Sequence, residues 1–587
     1  MNTMQNDLRH LRSVVGALTR DVAPGDRVAF AQAFSARALA EYRRRACPRA
    51  PALKLPNPGV KLRAGAFAEA LRLGRLYASM DEAVAAYLLT TLYTLALPDD
   101  VRAGNGMFFT PPALVERLLD MVEGAGGDWG QHTVIDPAAG GGAFITSVAV
   151  RMATALQAAG AAPLEVVEHI TSHLAGIEID PFSGWMSDVF LNVALWDLCV
   201  EAGQAIPPLV KPADSLRHDF ADRRYDVVVG NPPYGRVTLE PELRKRYARS
   251  LYGHANLYGL FTDLAVQLCR PGGVIGYVTP ASFLGGQYFK NLRALLAAEA
   301  PPIAIDFISD RAGVFDKVLQ ETVLIALVRG SRHERVSVCT SQPSGIGRPY
   351  RNIDGGEFRI PQDEHAPWVL PRDTGDVDLL QRAVGMPHRL KDYGLAVSTG
   401  PLVWNRHKEQ LATSRRRGCF PLIWSESVLP SGEFRFSFQR RNHQPYFVWK
   451  PGQDHLLTRQ PVVLVQRTTA KEQHRRLVAA LMPARFIEEH GAAVVENHLN
   501  MIYPVDGETP VSLRAVSALL NSSVADRIFR CINGSVAVSA FELESLPLPS
   551  PEVMHELDAM LERREGRSAI EDFLSISYRN ETVGVAA

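Results

Sequence analysis

TVIDPAAGGGAFITSVAVRMA, residues 133–153, opens with a short apolar run, passes through three consecutive glycines (Gly140, Gly141, Gly142) and continues with apolar residues at helical spacing. The pattern reads as strand, tight turn, helix. Glycine adopts positive backbone angles without a Cβ penalty and lets a ligand come close to the chain. A helix starting directly after the turn offers its first N–H groups to that ligand. The spacing is not GxGxxG, so a nicotinamide dinucleotide loses ground.

Working outward, the runs LAGIEI (174–179), YDVVVG (225–230), GGVIGYVTP (272–280), IAIDFI (303–308) and TVLIALV (322–328) alternate with amphipathic stretches. Strand and helix in alternation predict a mainly parallel sheet covered on both faces. Ligands of such sheets sit at the carboxyl ends of the strands. Asp136 and Gly140 follow the first strand. Glu178 ends the second, where a carboxylate can accept both hydroxyls of a ribose. Asp214, in KPADSL (211–216), stands where it could accept an adenine amino hydrogen.

VVVGNPPYG (227–235) stops a buried strand on Asn231, Pro232, Pro233 and Tyr234. The prolines fix the backbone and forbid a helix, so the Asn231 side chain and the Pro232 carbonyl are held as a pair of acceptors. With an aromatic face beside them, they form a receptor for a planar group bearing an NH2. Holding both amino hydrogens draws the nitrogen lone pair out of conjugation and makes it nucleophilic.

In this order, TPP, DPAAGGGAF, GIEIDP, AD, NPPYG and NLYGLF resemble the adenine-specific DNA methyltransferases of the gamma, TaqI-like arrangement. The resemblance covers roughly residues 104–550. It implies a class I S-adenosylmethionine-dependent methyltransferase fold, an α/β Rossmann-like domain, followed by a DNA target recognition domain. By matching motif, Thr110 is expected to contact the methionine part of S-adenosylmethionine beside Asp136 and Ala138. Glu178 would hold the ribose with Ile179 against the adenine ring. Asp214 would accept from the adenine amino group, enclosed by Ser215, Pro233 and Phe261. Asn231 and Pro232 would orient the target amino group, Tyr234 would stack on the extruded base, and Phe315 would pack on it from another side. The TaqI pattern has Glu where this chain has Asp136; a carboxylate of shorter reach keeps the acceptor role.

At 587 residues the chain exceeds one core. Residues 1–103 read as helical, 104–330 as the catalytic domain, 331–389 as a polar, Pro-rich connection, 390–550 as an α+β recognition domain and 551–587 as a helical tail. VSLRAVSALLNSSVADRIFRCI (511–532) reads as one amphipathic helix, and ENHLNMIYPV (496–505) resembles the closing part of a recognition domain. Net charge is zero, so nucleic-acid binding must come from a local patch. Residues 401–476 supply one, with fourteen Lys or Arg against five Asp or Glu, interleaved with aromatics that could contact bases. The six cysteines show no metal-ligand spacing, so no metal is expected. No apolar run of about 18 residues and no signal peptide stand out, and a cytoplasmic protein without a membrane role is expected.

The expected activity is methyl transfer from S-adenosylmethionine to the N6 amino group of adenine in double-stranded DNA, with base flipping. The host's own DNA would thereby be protected from a cognate restriction endonuclease, a functional partner. A monomer is expected, since one recognition domain can read one orientation of a site. Competing readings are an RNA or protein-glutamine methyltransferase, which share NPPY, a cytosine amino methylase, and a non-catalytic DNA-binding specificity protein.

Overall fold

The computed structural model describes residues 3–104, 110–308, 321–342 and 351–580, apart from Gln362, Glu364, Asp373, Gln439, Arg441, residues 469–474, Glu508 and residues 533–536. Phe315 lies outside the described residues. Two compact units divide the chain: Met1–Pro280 with Asn291–Ile360, and Ala281–Lys290 with Pro361–Ala587.

The first unit is built on one sheet. Its strands are β1 (Val134–Asp136), β2 (Leu174–Glu178), β3 (Val210–Pro212), β4 (Tyr225–Gly230), β5 (Cys269–Pro280), β6 (Pro302–Ile308), β7 (Thr322–Val328), β8 (Arg335–Gln342) and β9 (Arg351–Arg359). They lie in the order β9-β8-β6-β7-β5-β4-β1-β2-β3. Strands β1 to β5 pair in parallel, β7 runs antiparallel between β5 and β6, and β9 is antiparallel at the edge. The β-branched runs fit this sheet because both faces are buried: Val134, Ile135, Val227, Val228, Val274, Ile275 and Val323 are each at most 1 % exposed. Strand order reverses between β1 and β4, which opens a crevice at their carboxyl ends.

Three of these strands depart from the sequence expectation, the three-residue β3 among them. Residues 335–342 and 351–359, taken as connection, extend the sheet as a hairpin. Their polar, alternating composition follows from an edge position with one face in solvent.

Helices α1 (Pro112–Gly124), α2 (Ala143–Ala158), α3 (Pro181–Ala194) and α4 (Leu257–Leu268) cover the sheet. The amino-terminal helices, including Arg27–Ala46, Ala64–Tyr77 and Glu82–Ala96, do not form a unit of their own. Phe34, Leu39, Tyr77 and Leu88 share one core with Phe182, Met186 and Phe190 of α3. Gly74 lets Ala64–Tyr77 lie close against Arg27–Ala46, since a Cβ there would lie 2.4 Å from the Ala38 carbonyl oxygen.

The second unit holds a four-stranded antiparallel sheet (Leu395–Thr399, Leu499–Pro504, Val462–Gln466, Ala479–Met482) and a five-stranded one. The stretch expected as one helix is two, Leu513–Leu520 and Ser523–Ile532. The break has a cause in side-chain competition: Asn521 donates to the Ala479 carbonyl at 2.7 Å and accepts from Ala479 N at 3.1 Å. The last helices, Pro551–Glu562 and Arg567–Asn580, belong to this unit, with Asp558 bound by Ser512 and Arg514. Among the described residues, no helix is long and apolar enough to cross a membrane.

Candidate active site

The crevice beside β1 and β4 contains a cavity of about 270 Å³. Thr110, Asp136, Ala138, Gly140, Glu178, Ile179, Asp214, Ser215, Pro233 and Phe261 all line it, and so does Asn231. Sequence positions more than a hundred apart meet here because three strand ends and the start of α1 converge.

Each loop is tied to its neighbour. Glu178 accepts from Gly140 N at 2.8 Å and from Asp180 N at 2.9 Å, which locks the glycine turn to the end of β2. Burial pushes the Glu178 carboxyl above the usual range, while those N–H groups pull it back. Ser215 Oγ donates to the Pro137 carbonyl at 2.5 Å, joining the loop after β3 to the loop after β1. Gly142 begins α2 at φ +84°, backed against Ser187.

Asp136 is 1 % exposed. Its Oδ1 accepts from Ala138 N at 2.9 Å, and its Oδ2 is buried with no partner among the described residues. Burial pushes the carboxyl up to about 8; the Ala138 N–H opposes this and the Glu178 charge adds to it. Gly230 must remain without a side chain, because a Cβ would sit 2.7 Å from Asp136 Oδ1.

Asn231 is oriented from both sides. Its Nδ2 donates to Thr110 Oγ1 at 3.0 Å, and its Oδ1 accepts from the Tyr234 hydroxyl at 2.7 Å. The same hydroxyl lies 3.2 Å from the Val278 carbonyl on β5. Tyr258 of α4 meets the Tyr234 ring edge-on, with centroids 6.1 Å apart at 82°. Pro232 is buried, and neither it nor Tyr234 is among the residues that line the cavity. Tyr234 therefore has a function that sequence reasoning did not assign: its hydroxyl fixes which way the Asn231 amide points.

The cavity also has a wall that the motifs did not reveal. Val237, Thr238, Leu239, Glu240 and Leu243 line it from the segment after NPPYG, which is held by pairing of Arg236–Val237 with Ala255–Asn256. Arg217 spans the rim, with Nε 3.2 Å from Asp214 Oδ2 and Nη2 3.0 Å from Glu240 Oε2. RVTLEPEL carries no motif, so only the return of the chain shows its place.

The residues fit S-adenosylmethionine. An orphaned buried carboxylate oxygen on Asp136 suits a cationic group, and Glu178 and Asp214 supply further acceptors along the same cavity. Ile179 is 56 % exposed although apolar, as expected of a residue that a planar ring covers.

In the second unit, the aromatic half of the basic segment is largely core. Trp424 and Phe447 are at most 1 % exposed, and Phe434, Phe436 and Trp404 pack against buried clusters. Apolar patterning and base contact look alike in sequence, and burial won here. Much of the basic half faces solvent: Arg406, Arg415, Arg416, Arg417, Arg435 and Arg440 are exposed, whereas Arg476 is buried.

Residues 200–315 match the Eco57I restriction-modification methylase family. The chain is 25% identical to the type II methyltransferase M.PstI of Providencia stuartii over 477 residues, 78% of this chain and 90% of that one. It is 27% identical to the type II methyltransferase M.BsuBI of Bacillus subtilis over 345 residues, 57% and 67% of the two chains. Among solved structures, the type IIL restriction-modification enzyme MmeI in complex with DNA aligns over 98% of this chain and 93% of its own, with a TM-score of 0.54 at 12% identity. Residues 200–315 thus match an Eco57I-type restriction-modification methylase domain, the first unit has a class I methyltransferase fold, and the chain is similar over much of its length to type II methyltransferases.

Proposed function

We propose that the protein is a site-specific DNA methyltransferase of a restriction-modification system, acting on the N6 amino group of adenine in double-stranded DNA. The observation that carries this reading is the fixed amide of Asn231 at the edge of the cofactor cavity. Its nitrogen donates to Thr110 Oγ1 and its oxygen accepts from the Tyr234 hydroxyl, so the amide is held in one orientation with its oxygen on the Tyr234 side.

When bound, S-adenosylmethionine supplies an activated methyl group. The chain's own residues do the rest. Asn231 Oδ1 and the Pro232 carbonyl accept the two amino hydrogens of the target base. The nitrogen lone pair is then available for attack. The base must leave the helix to reach this receptor, at an unpairing cost of a few kcal/mol that stacking on Tyr234 and the two hydrogen bonds offset. Thr110, Asp136 and Ala138 would hold the amino-acid end of the cofactor, Glu178 the ribose, and Asp214, Ile179, Ser215, Pro233 and Phe261 the adenine. Protection of the same DNA from a partner endonuclease is the biology that the relatives' type II class supports.

Digestion of DNA methylated by the purified chain, followed by mass spectrometry of the nucleosides, tests the reading. N6-methyladenine is expected. N4-methylcytosine as the sole product would overturn the assignment of the base.

Two further outcomes follow from the geometry. Tyr234→Phe keeps the ring but removes the hydroxyl from Asn231; turnover is expected to fall about ten-fold while base stacking persists. Tyr234→Ala removes the stack as well and costs roughly 1–3 kcal/mol more. Equal 2-aminopurine fluorescence at the target position in wild type and Tyr234→Ala would contradict the stacking role.

The Asp136 carboxyl, pushed up to about 8, is mostly protonated at pH 6.5. A cationic ligand selects its ionised form, so affinity should rise with pH up to about 8, and binding below that pH should release protons. Asp136→Asn should weaken binding and flatten the profile. Calorimetry in buffers of different ionisation enthalpy measures both; a pH-independent affinity in the wild type would refute the assignment.

A further inference from the structure

The stretch ENHLNMIYPV forms a turn and then a strand in the second unit. Glu496 is 1 % exposed and grips the turn from below. Its Oε2 accepts from His498 N at 2.8 Å, and its two oxygens lie 2.7 and 2.8 Å from His498 Nδ1. The His498 side chain is nevertheless 56 % exposed. In the neutral ring the hydrogen sits on Nδ1, facing the Glu496 oxygens, and Nε2 is left as an acceptor turned away from Glu496.

The platform under this ring is rigid. Glu496 N bonds the Ile423 carbonyl at 3.1 Å, and Gly400 packs so closely that a Cβ would lie 2.3 Å from the Glu496 carbonyl oxygen. Asn497 N donates to the Leu402 carbonyl at 2.9 Å, and Arg467 N to the His498 carbonyl at 2.9 Å. Arg467 Nη1 adds a bond to the Asn497 carbonyl at 3.2 Å. The corner therefore gathers the chain leading to Asn405 and Arg406, both exposed, with Arg467 and His498. A buried acid needs a donor, but any donor would serve. Gripping an exposed imidazole by its ring and its backbone together limits its rotation, which is what a group that reads a partner requires.

We propose that His498 is a specificity-determining residue. Its Nε2 accepts from an exocyclic amino group of adenine or cytosine in the major groove, while Arg406 and Arg467 contact neighbouring phosphates. The inference rests on duplex DNA being the substrate.

The test uses the full chain and the variants His498→Ala and His498→Asn. The Asn amide can still donate to Glu496, but it lacks Nε2. Each protein methylates a library of duplexes in which every position of the recognised site is varied, and KM, salt dependence, melting temperature and S-adenosylmethionine affinity are measured alongside. Both variants are expected to raise KM for the preferred duplex about ten-fold and to relax preference at one base pair, with the melting temperature and cofactor affinity of His498→Asn at wild-type values. A wild-type KM and site preference in His498→Asn would reduce His498 to a structural partner of Glu496 and overturn the proposal. Uniform weakening at all positions with a shallower salt slope would make it a phosphate contact and overturn base reading. A library that the wild type leaves unmethylated would instead remove the DNA reading itself.

Discussion

Asn231→Ala is expected to lower methyl transfer by at least roughly 10²–10³-fold while S-adenosylmethionine binds within a few-fold of wild type. The amide is a preformed acceptor set by two partners, Thr110 Oγ1 at 3.0 Å and the Tyr234 hydroxyl at 2.7 Å. Truncation leaves the target amino group one acceptor short and leaves Tyr234 only the Val278 carbonyl. It does not touch Asp136, Glu178 or Asp214, which define the rest of the cavity. The loss should therefore appear in kcat, with equilibrium binding of the cofactor nearly unchanged. Turnover within a few-fold of wild type would show that the amino group is held elsewhere.

Gly142→Ala should disable the protein at an earlier stage. The residue has φ +84°, and an added Cβ would lie 2.2 Å from Ser187 Oγ and 2.8 Å from Ser187 Cα. Backbone strain and overpacking together cost roughly 2–5 kcal/mol. Relief requires α3 to move away from the turn that carries Ala138 and Gly140, so a lower melting temperature should come with at least about ten-fold weaker cofactor binding. Gly160→Ala is the matched control, because Gly160 has φ +86° with nothing within 4 Å of an added Cβ. It should show the strain alone. Equal cofactor affinity in the two variants would mean that contact with Ser187 does not position the turn.

Much of the fold was legible because its strands are buried on both faces and so read as uninterrupted β-branched runs. YDVVVG and TVLIALV match β4 and β7 residue for residue. The missed strands have other chemistry. β3 is only Val-Lys-Pro, and β8 and β9 alternate polar and apolar residues at the sheet edge. The helix break at Asn521 is set by hydrogen bonds to Ala479, a partner that helical periodicity does not register.

The candidate site was legible wherever a residue type is forced. Glycine stands at 230 and 142 where a Cβ has no room, and acids stand at strand ends. Val237–Leu243 and Arg217 carry no such constraint and are brought to the cavity only by the fold. The Tyr234 hydroxyl was likewise missed, since the sequence shows an aromatic ring but not where its oxygen points.

Adenine methylation by this chain is read out by single-molecule sequencing of the genome of a methylation-free bacterium expressing it, beside the same strain expressing Asn231→Ala. Modified adenines are expected at nearly every copy of one short motif, all absent with the variant. An unmodified genome, despite folded protein that binds S-adenosylmethionine, would contradict it.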